Sequence, residues 1–201
     1  MQAVLQRLHA AAKHDPERWA ERRAQQAASP PPPGPDPLVR MGELYLAVGE
    51  DDGRLLHVLA RAMQAKRIVE FGASYGVSTL YLAAAAEEVD GLVITTEAHP
   101  DKCAALRANL AEAGLAHRVE LLEGDARETL REVEGPIDLL VLDGWKSQYL
   151  PVFELLKPAL RSGALVAADN IAHPAAAAYV ERVAQDDVVT QRIGELALSV
   201  V

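Results

Sequence analysis

The stretch R-I-V-E-F-G-A-S-Y-G-V-S-T-L-Y-L, residues 67–82, decides how the rest of the chain is read. A short run of β-branched and aromatic residues, Ile68, Val69 and Phe71, breaks at Gly72 and restarts after Gly76 as an apolar helix. The run is too short for a helix of its own and is bounded by glycine, which reads as a buried strand. Gly72 and Gly76 stand where a side chain would block a tight turn or a close ligand, the use glycine has in the first strand-to-helix turn of doubly wound folds. No Gly-Lys-Ser/Thr follows, so the turn is not a P-loop, and the G-x-G-x-x-G of dinucleotide enzymes is absent too. In place of a phosphate cradle stands Glu70, expected to point into the ligand crevice. A carboxylate there repels a pyrophosphate and suits a cationic ligand.

Outward from this turn the pattern alternates. Strands are expected at 92–95, 119–122, 137–142 and 164–168, with helices at 77–88, 100–113, 148–160 and 174–184. Near-continuous apolar strands alternating with helices indicate a parallel sheet covered on both faces. The end differs, since 188–193, Gly194 and 196–201 read as two strands joined by a short turn, an antiparallel finish. A further helix running to Ala65 carries Leu55, Leu56, Val58, Leu59 and Met63, expected to face the sheet.

The first 29 residues stand apart. Val4, Leu5, Leu8, Ala11 and Ala12 recur at helical spacing, and Asp15-Pro16 starts a second helix with a cap and a first-turn proline. Five basic residues face three acidic ones in this segment, against 15 and 26 in the remainder. A polyproline stretch then serves as a semi-rigid connector. The expected organisation is a helical arm over 1–29, a proline-rich linker over 30–37 and one domain over 38–201, the arm lying over the acidic mouth of its own or a neighbouring subunit in a homodimer.

Composition narrows the partners. The formal charge of −9 argues against nucleic acid, which calls for a basic face. No stretch is long and apolar enough for a membrane span, and the N-terminus lacks the apolar core of a secretory signal. Asp15, Glu17 and Glu21 argue against a transit peptide. The single cysteine, Cys103, excludes an internal disulfide and suits a reducing compartment, so the expected location is the cytoplasm.

In a doubly wound sheet ligands sit beyond the carboxyl ends of the strands. The second strand ends at Glu97, placed to accept from ribose hydroxyls. The third ends at Asp125-Ala126, where an adenine edge would be met or the helix after it capped. The fourth and fifth end in oxygen ligands, Asp143 and Asp169-Asn170, a half-shell suited to Mg²⁺. The six histidines show no zinc spacing.

Glu70-Phe71-Gly72 with Gly76 and Ser78 resembles the first motif of class I S-adenosylmethionine (SAM) methyltransferases. I-D-L-L-V-L-D-G-W-K-S-Q-Y-L-P, residues 137–151, and G-A-L-V-A-A-D-N, residues 163–170, resemble the metal-dependent catechol O-methyltransferases and their stand-alone bacterial relatives. The resemblance runs from about Leu46 to Val201. It implies a Rossmann-like, doubly wound, mostly parallel seven-stranded α/β sheet with an antiparallel last strand. It further implies that Glu70, Gly72, Ser74, Gly76 and Ser78 hold the methionine part of SAM with Val48 near it, that Glu97 takes the ribose, and that Asp125, Ala126 and Trp145 surround the adenine. By the same resemblance Asp143, Asp169 and Asn170 hold Mg²⁺ and Lys146 is the general base, so that a small phenolic or catechol-like acceptor is methylated and S-adenosylhomocysteine (SAH) is released. Two departures stand out. The acidic residue expected near the last two strands does not map securely onto Glu195, and nine aromatic residues in the whole chain show no evident pocket walls. A metal-independent N- or O-methyltransferase and a non-catalytic SAM-binding module therefore remain as alternatives.

Overall fold

The computed structural model describes residues 1–28, 41–186 and 188–201, so the proline-rich linker lies outside the described residues. Helices α1 (Gln2–Ala12), α2 (Asp15–Ala28) and α3 (Glu50–Ala62) precede β1 (Arg67–Phe71). Then follow α4 (Val77–Val89), β2 (Leu92–Glu97), α5 (Pro100–Ala113), β3 (Val119–Glu123), α6 (Ala126–Thr129), β4 (Ile137–Leu142) and α7 (Tyr149–Leu156). The chain closes with β5 (Leu160–Ala168), α8 (Ala177–Gln185), β6 (Val189–Ile193) and β7 (Leu196–Val200).

All seven strands form one sheet in the order β3-β2-β1-β4-β5-β7-β6. Strands β1 to β5 pair parallel, while β7 runs antiparallel to both β5 and β6. This is the expected Rossmann-like, doubly wound sheet with its antiparallel finish. The helix expected to run to residue 160 ends at Leu156, a 3₁₀ turn carries Lys157–Ala159, and β5 begins four residues earlier than the apolar run suggested.

Strand alternation sorts β1 onto two cores. Val69 and Phe71 pack with α6, α7 and α8, whereas Ile68 faces α4 and the helices beyond it. α4 is apolar all round because it is covered on both sides, by the sheet and by α1 and α3. The expectation that α3 faces the sheet is corrected here. α3 lies on α4, a step further out, and Val58 is 57 % exposed.

The arm is laid against the body. Val4, Leu5 and Leu8 are buried in the same cluster as α4, and Arg7 bonds Asn109 of α5 at 3.2 Å and pairs with Glu112. Three apolar residues on one stripe suffice because α4 and α5 already present an apolar floor.

β1 and β4 are adjacent, and from them the strand order runs outward in opposite directions, which makes their carboxyl ends the switch point of the sheet. The loops there are stitched together by backbone bonds that continue the ladders: Asp143 N to Phe71 O, Asp169 N to Leu142 O, Ala73 N to Thr96 O and Gly124 N to Glu97 O, each 2.9 Å. Gly72 has φ +99°, and a Cβ there would lie 2.6 Å from the backbone of Gly144. The first glycine of the turn thus lets two strand-end loops touch.

Candidate functional site

A cavity of about 660 Å³ opens over these strand ends, within the usual range for small-molecule sites. Its wall includes Val48, Gly72, Ser74, Glu97, Asp125, Ala126, Asp143, Trp145, Lys146, Asp169 and Asn170, so eleven of the fourteen residues singled out in the sequence meet in one place.

The other three lie behind the wall. Glu70 was expected to point into the crevice, but it belongs to the α4 side of β1 and is fully buried, its Oε2 accepting from Thr79 (2.6 Å) and Thr95 (2.5 Å). Ser78 is turned to the same carboxylate and helps hold its pKa down, and Oε1 has no closely bonded partner among the described residues. Burial raises the Glu70 pKa against the pull of Ser78, Thr79 and Thr95. Gly76 starts α4 with φ +92°, and a Cβ there would collide with Leu106.

Glu97 organises one end of the cavity. Its Oε2 accepts from Ser74 N at 2.8 Å and its Oε1 from His99 N at 2.7 Å, so one carboxylate fixes the loops after β1 and β2 and keeps lone pairs for a ligand. Asp125 caps α6 through Arg127 N at 2.9 Å and pairs with the Arg127 side chain, so the capping reading holds while the carboxylate still borders the cavity. Cys103 is buried and its thiol, which bonds Glu97 O, is pushed up to about 11 by burial, a packing role.

At the other end the charges crowd. Burial, with Asp169 adding to it, pushes Asp143 up to about 8, although Lys146 pulls the other way. Lys146 Nζ lies 3.3 Å from Asp143 Oδ1 and donates to Tyr149 OH at 2.8 Å. Tyr149 in turn donates to Asp169 O at 2.9 Å, and burial raises its pKa far above the ordinary phenol, so it is fixed as a neutral relay that holds the lysine in place. Asp52 of α3 joins the group, its pKa raised by burial and then by Asp169.

Two carboxylates and an amide are hard oxygen donors, and the repulsion that Asp169 exerts on Asp143 is relieved by a cation, so Asp143, Asp169 and Asn170 fit a Mg²⁺ ion that keeps waters. No cluster of three or more His, Cys, Asp or Glu side chains that would make an all-protein cage occurs among the described residues.

The match of the chain to a methyltransferase-domain family over residues 69–171 covers just over half of it and spans the glycine turn through Asp169 and Asn170. The chain belongs to the methyltransferase family. Its domain is of the class I type, and the curated relatives agree: it is 37 % identical over 127 residues to a catechol O-methyltransferase of Mycobacterium tuberculosis, covering 63 % of this chain and 57 % of that protein. It is 33 % identical over 138 residues to one of Niastella koreensis, covering 67 % and 62 %. The chain thus spans about three fifths of the length of these relatives. Among solved structures it is similar to the O-methyltransferase TomG of Streptomyces achromogenes, determined in complex with SAM, at 29 % identity and a TM-score of 0.70 over 92 % of this chain and 97 % of that one.

The methyltransferase cavity also contains residues that sequence reasoning missed. Trp19 of α2 reaches the wall, supplying an aromatic surface from a segment far from any motif. Leu46 lies there with φ +49°, and Lys102 on the first turn of α5 is almost fully buried beside Ser74. Glu195, which the sequence named without mapping it securely, reaches the wall from the turn between β6 and β7. None of these follows a spacing rule, because each is delivered by packing between elements distant in sequence. No helix among the described residues is long and apolar enough to cross a membrane.

Proposed function

We propose that this methyltransferase transfers a methyl group from SAM to an oxygen of a small phenolic or catechol-like acceptor, with Mg²⁺ bound by Asp143, Asp169 and Asn170. The observation that carries the reading is the joining, in one cavity, of the Glu97 carboxylate with the Asp143, Lys146, Asp169 and Asn170 group. The catechol O-methyltransferase names of the relatives and the SAM in the TomG structure support it.

The chain's residues divide the work. Glu97 accepts from the ribose hydroxyls, Asp125 and Ala126 border the adenine with Trp145 against it, and Val48 and Gly72 leave room for the methionine part. SAM supplies a methyl carbon on a sulfonium: as the acceptor oxygen bonds that carbon, the carbon–sulfur bond breaks and its electron pair goes to sulfur, leaving neutral SAH. Mg²⁺, when bound, supplies Lewis acidity to a phenolic oxygen. Lys146, steadied by Tyr149, takes the phenolic proton on Nζ, and the walls hold the two reactants in line. Trp19 and Leu46 bring apolar surface to the acceptor side, and the arm helps to exclude water. A cytoplasmic protein acting on a small molecule, alone or as a homodimer, fits this reading.

The crowding of Lys146 on Asp143 favours a second reading, in which the lysine and not a metal balances the carboxylates and the enzyme works without Mg²⁺. A methyl-transfer screen over phenols, catechols and amines, with and without chelator, separates the two. Turnover of catechols abolished by chelator supports the first, full turnover in chelator supports the second, and SAM binding with no turnover on any acceptor would leave only a binding module.

A further inference from the structure

The cavity wall contains a buried cation without an anion. Lys102 is 4 % exposed, and among the described residues its ammonium group meets only Ser74 Oγ, at 3.0 Å, and the face of Tyr75, 5.6 Å from the ring centre. Three carboxylates act on it from a distance, Glu97, Asp15 and Glu43. Each is committed elsewhere: Glu97 to Ser74 N and His99 N, Asp15 to Tyr45 N, Leu46 N and Arg18, and Glu43 to Arg22. Burial accordingly pulls the Lys102 pKa below the ordinary lysine range despite those charges. An ammonium in this setting has three donors and spends one. Burying it unpaired is costly unless something else completes the shell.

The groups around it show what is missing. Ser74 was assigned to the methionine part of the donor, yet its hydroxyl proton is spent on Tyr45 O at 2.6 Å, its oxygen on Lys102 and its N–H on Glu97. Ser78 lies behind the wall beside Glu70. Tyr45 N and Leu46 N are taken by Asp15, Gly76 N by Ala73 O and Ala73 N by Thr96 O. Ser74 therefore has no proton to offer a ligand at this end, and Ser78 is turned to the Glu70 carboxylate behind the wall. The other lysine of the wall, Lys146, is bonded to Asp143 and Tyr149. SAM and SAH carry a single anionic group, the α-carboxylate of the methionine part, and among the described residues the one cation of the wall without an anionic partner is Lys102, beside Ser74.

We propose that Lys102 is a donor-binding residue whose ammonium group pairs with the α-carboxylate of SAM and SAH. The proposal rests on SAM being the donor. It assigns the carboxylate to α5 and leaves Ser74 as the spacer that holds Lys102 against the loop carrying Tyr45.

The test compares SAH with its decarboxylated analogue, 5′-deoxy-5′-(3-aminopropylthio)adenosine, by titration calorimetry on the full chain. Wild type should prefer SAH. Lys102→Met should lose roughly tenfold to a hundredfold in affinity for SAH, the range for a hydrogen bond to a charged group, and change little toward the analogue. Lys102→Arg should retain part of the preference, and it stands in if the methionine variant does not fold. Equal losses for both ligands, or an unchanged preference for SAH in the variants, would overturn the assignment of Lys102. A wild type that binds neither compound would instead overturn SAM as the donor, and this inference with it.

Discussion

The carboxylate of Asp15, at the start of α2, accepts the backbone N–H of Leu46 at 2.8 Å, and that leucine sits in the left-handed region with φ +49°. Such a backbone is a genuine outlier for a bulky residue and persists only where its surroundings impose it. Asp15 also accepts from Tyr45 N at 3.1 Å, Arg18 lies over the Tyr45 ring, Tyr75 stacks on that ring with centroids 4.2 Å apart, and Arg22 pairs with Glu43. The arm thus clamps the loop that brings Leu46 and Val48 to the cavity. Asp15→Ala should cost ~1–3 kcal/mol of stability and weaken SAH by ~1–2 kcal/mol, the scale of bonds to a charged acceptor. Thermal melts and calorimetry read both, and unchanged SAH affinity would make the clamp a packing contact only. Deleting residues 1–29 is the poorer experiment, because it also strips Val4, Leu5 and Leu8 from the core.

Glu97 ties two loops and faces the cavity at once. Glu97→Ala should weaken SAM or SAH by ~1–3 kcal/mol through the lost ribose bonds, and should lower the melting temperature because Ser74 N and His99 N lose their acceptor. Affinity that stays at the wild-type value in calorimetry would remove Glu97 from the donor site.

The catalytic group should fail in two distinguishable ways. Lys146→Ala should leave SAH binding intact and lower kcat by roughly 10²–10⁴, the usual share of a positioned base, with partial recovery as rising pH ionises the acceptor by itself. Tyr149→Phe removes the bond that steadies the lysine together with the one to Asp169 O, and should cost about tenfold. Asp169→Ala, or chelator, should abolish turnover and weaken acceptor binding while sparing SAH. Undiminished kcat in Lys146→Ala would remove the base, and undiminished turnover in excess chelator the metal.

Glu70 gives a signature in stability. Its folded pKa is raised, first by burial, so the folded state disfavours the ionised carboxyl. The stability it lends is fully present below the ordinary glutamate value of 4.5 and is lost as pH rises from there through the raised folded value. Glu70→Gln has no such proton to lose. Denaturant titrations over that interval should show wild type falling relative to Glu70→Gln as pH rises. Parallel curves for the two proteins would mean that Glu70 keeps an ordinary pKa in the fold.

By itself the sequence determined the sheet and most of the site. Alternating buried strands and helices, with Gly72 after Phe71, specify a parallel sheet whose strand ends gather Glu97, Asp125, Asp143 and Asp169, because in this topology the residue that ends a strand is the residue at the crevice. Side-chain direction one position earlier was also implicit, yet Glu70 follows the strand's alternation toward α4 and away from the ligand, a consequence that motif spacing hides and the pleat decides. Only the tertiary structure placed Trp19, Leu46, Lys102 and Glu195 on the same wall. Each comes from an element whose local pattern says nothing of the cavity, and the contacts that bring it there cross from the arm to the loop before α3 and from α5 to the β1 turn. Strand ends are fixed by hydrogen bonds that recur along a ladder, whereas these contacts depend on which helix face meets which loop, and that is settled only when the whole core packs.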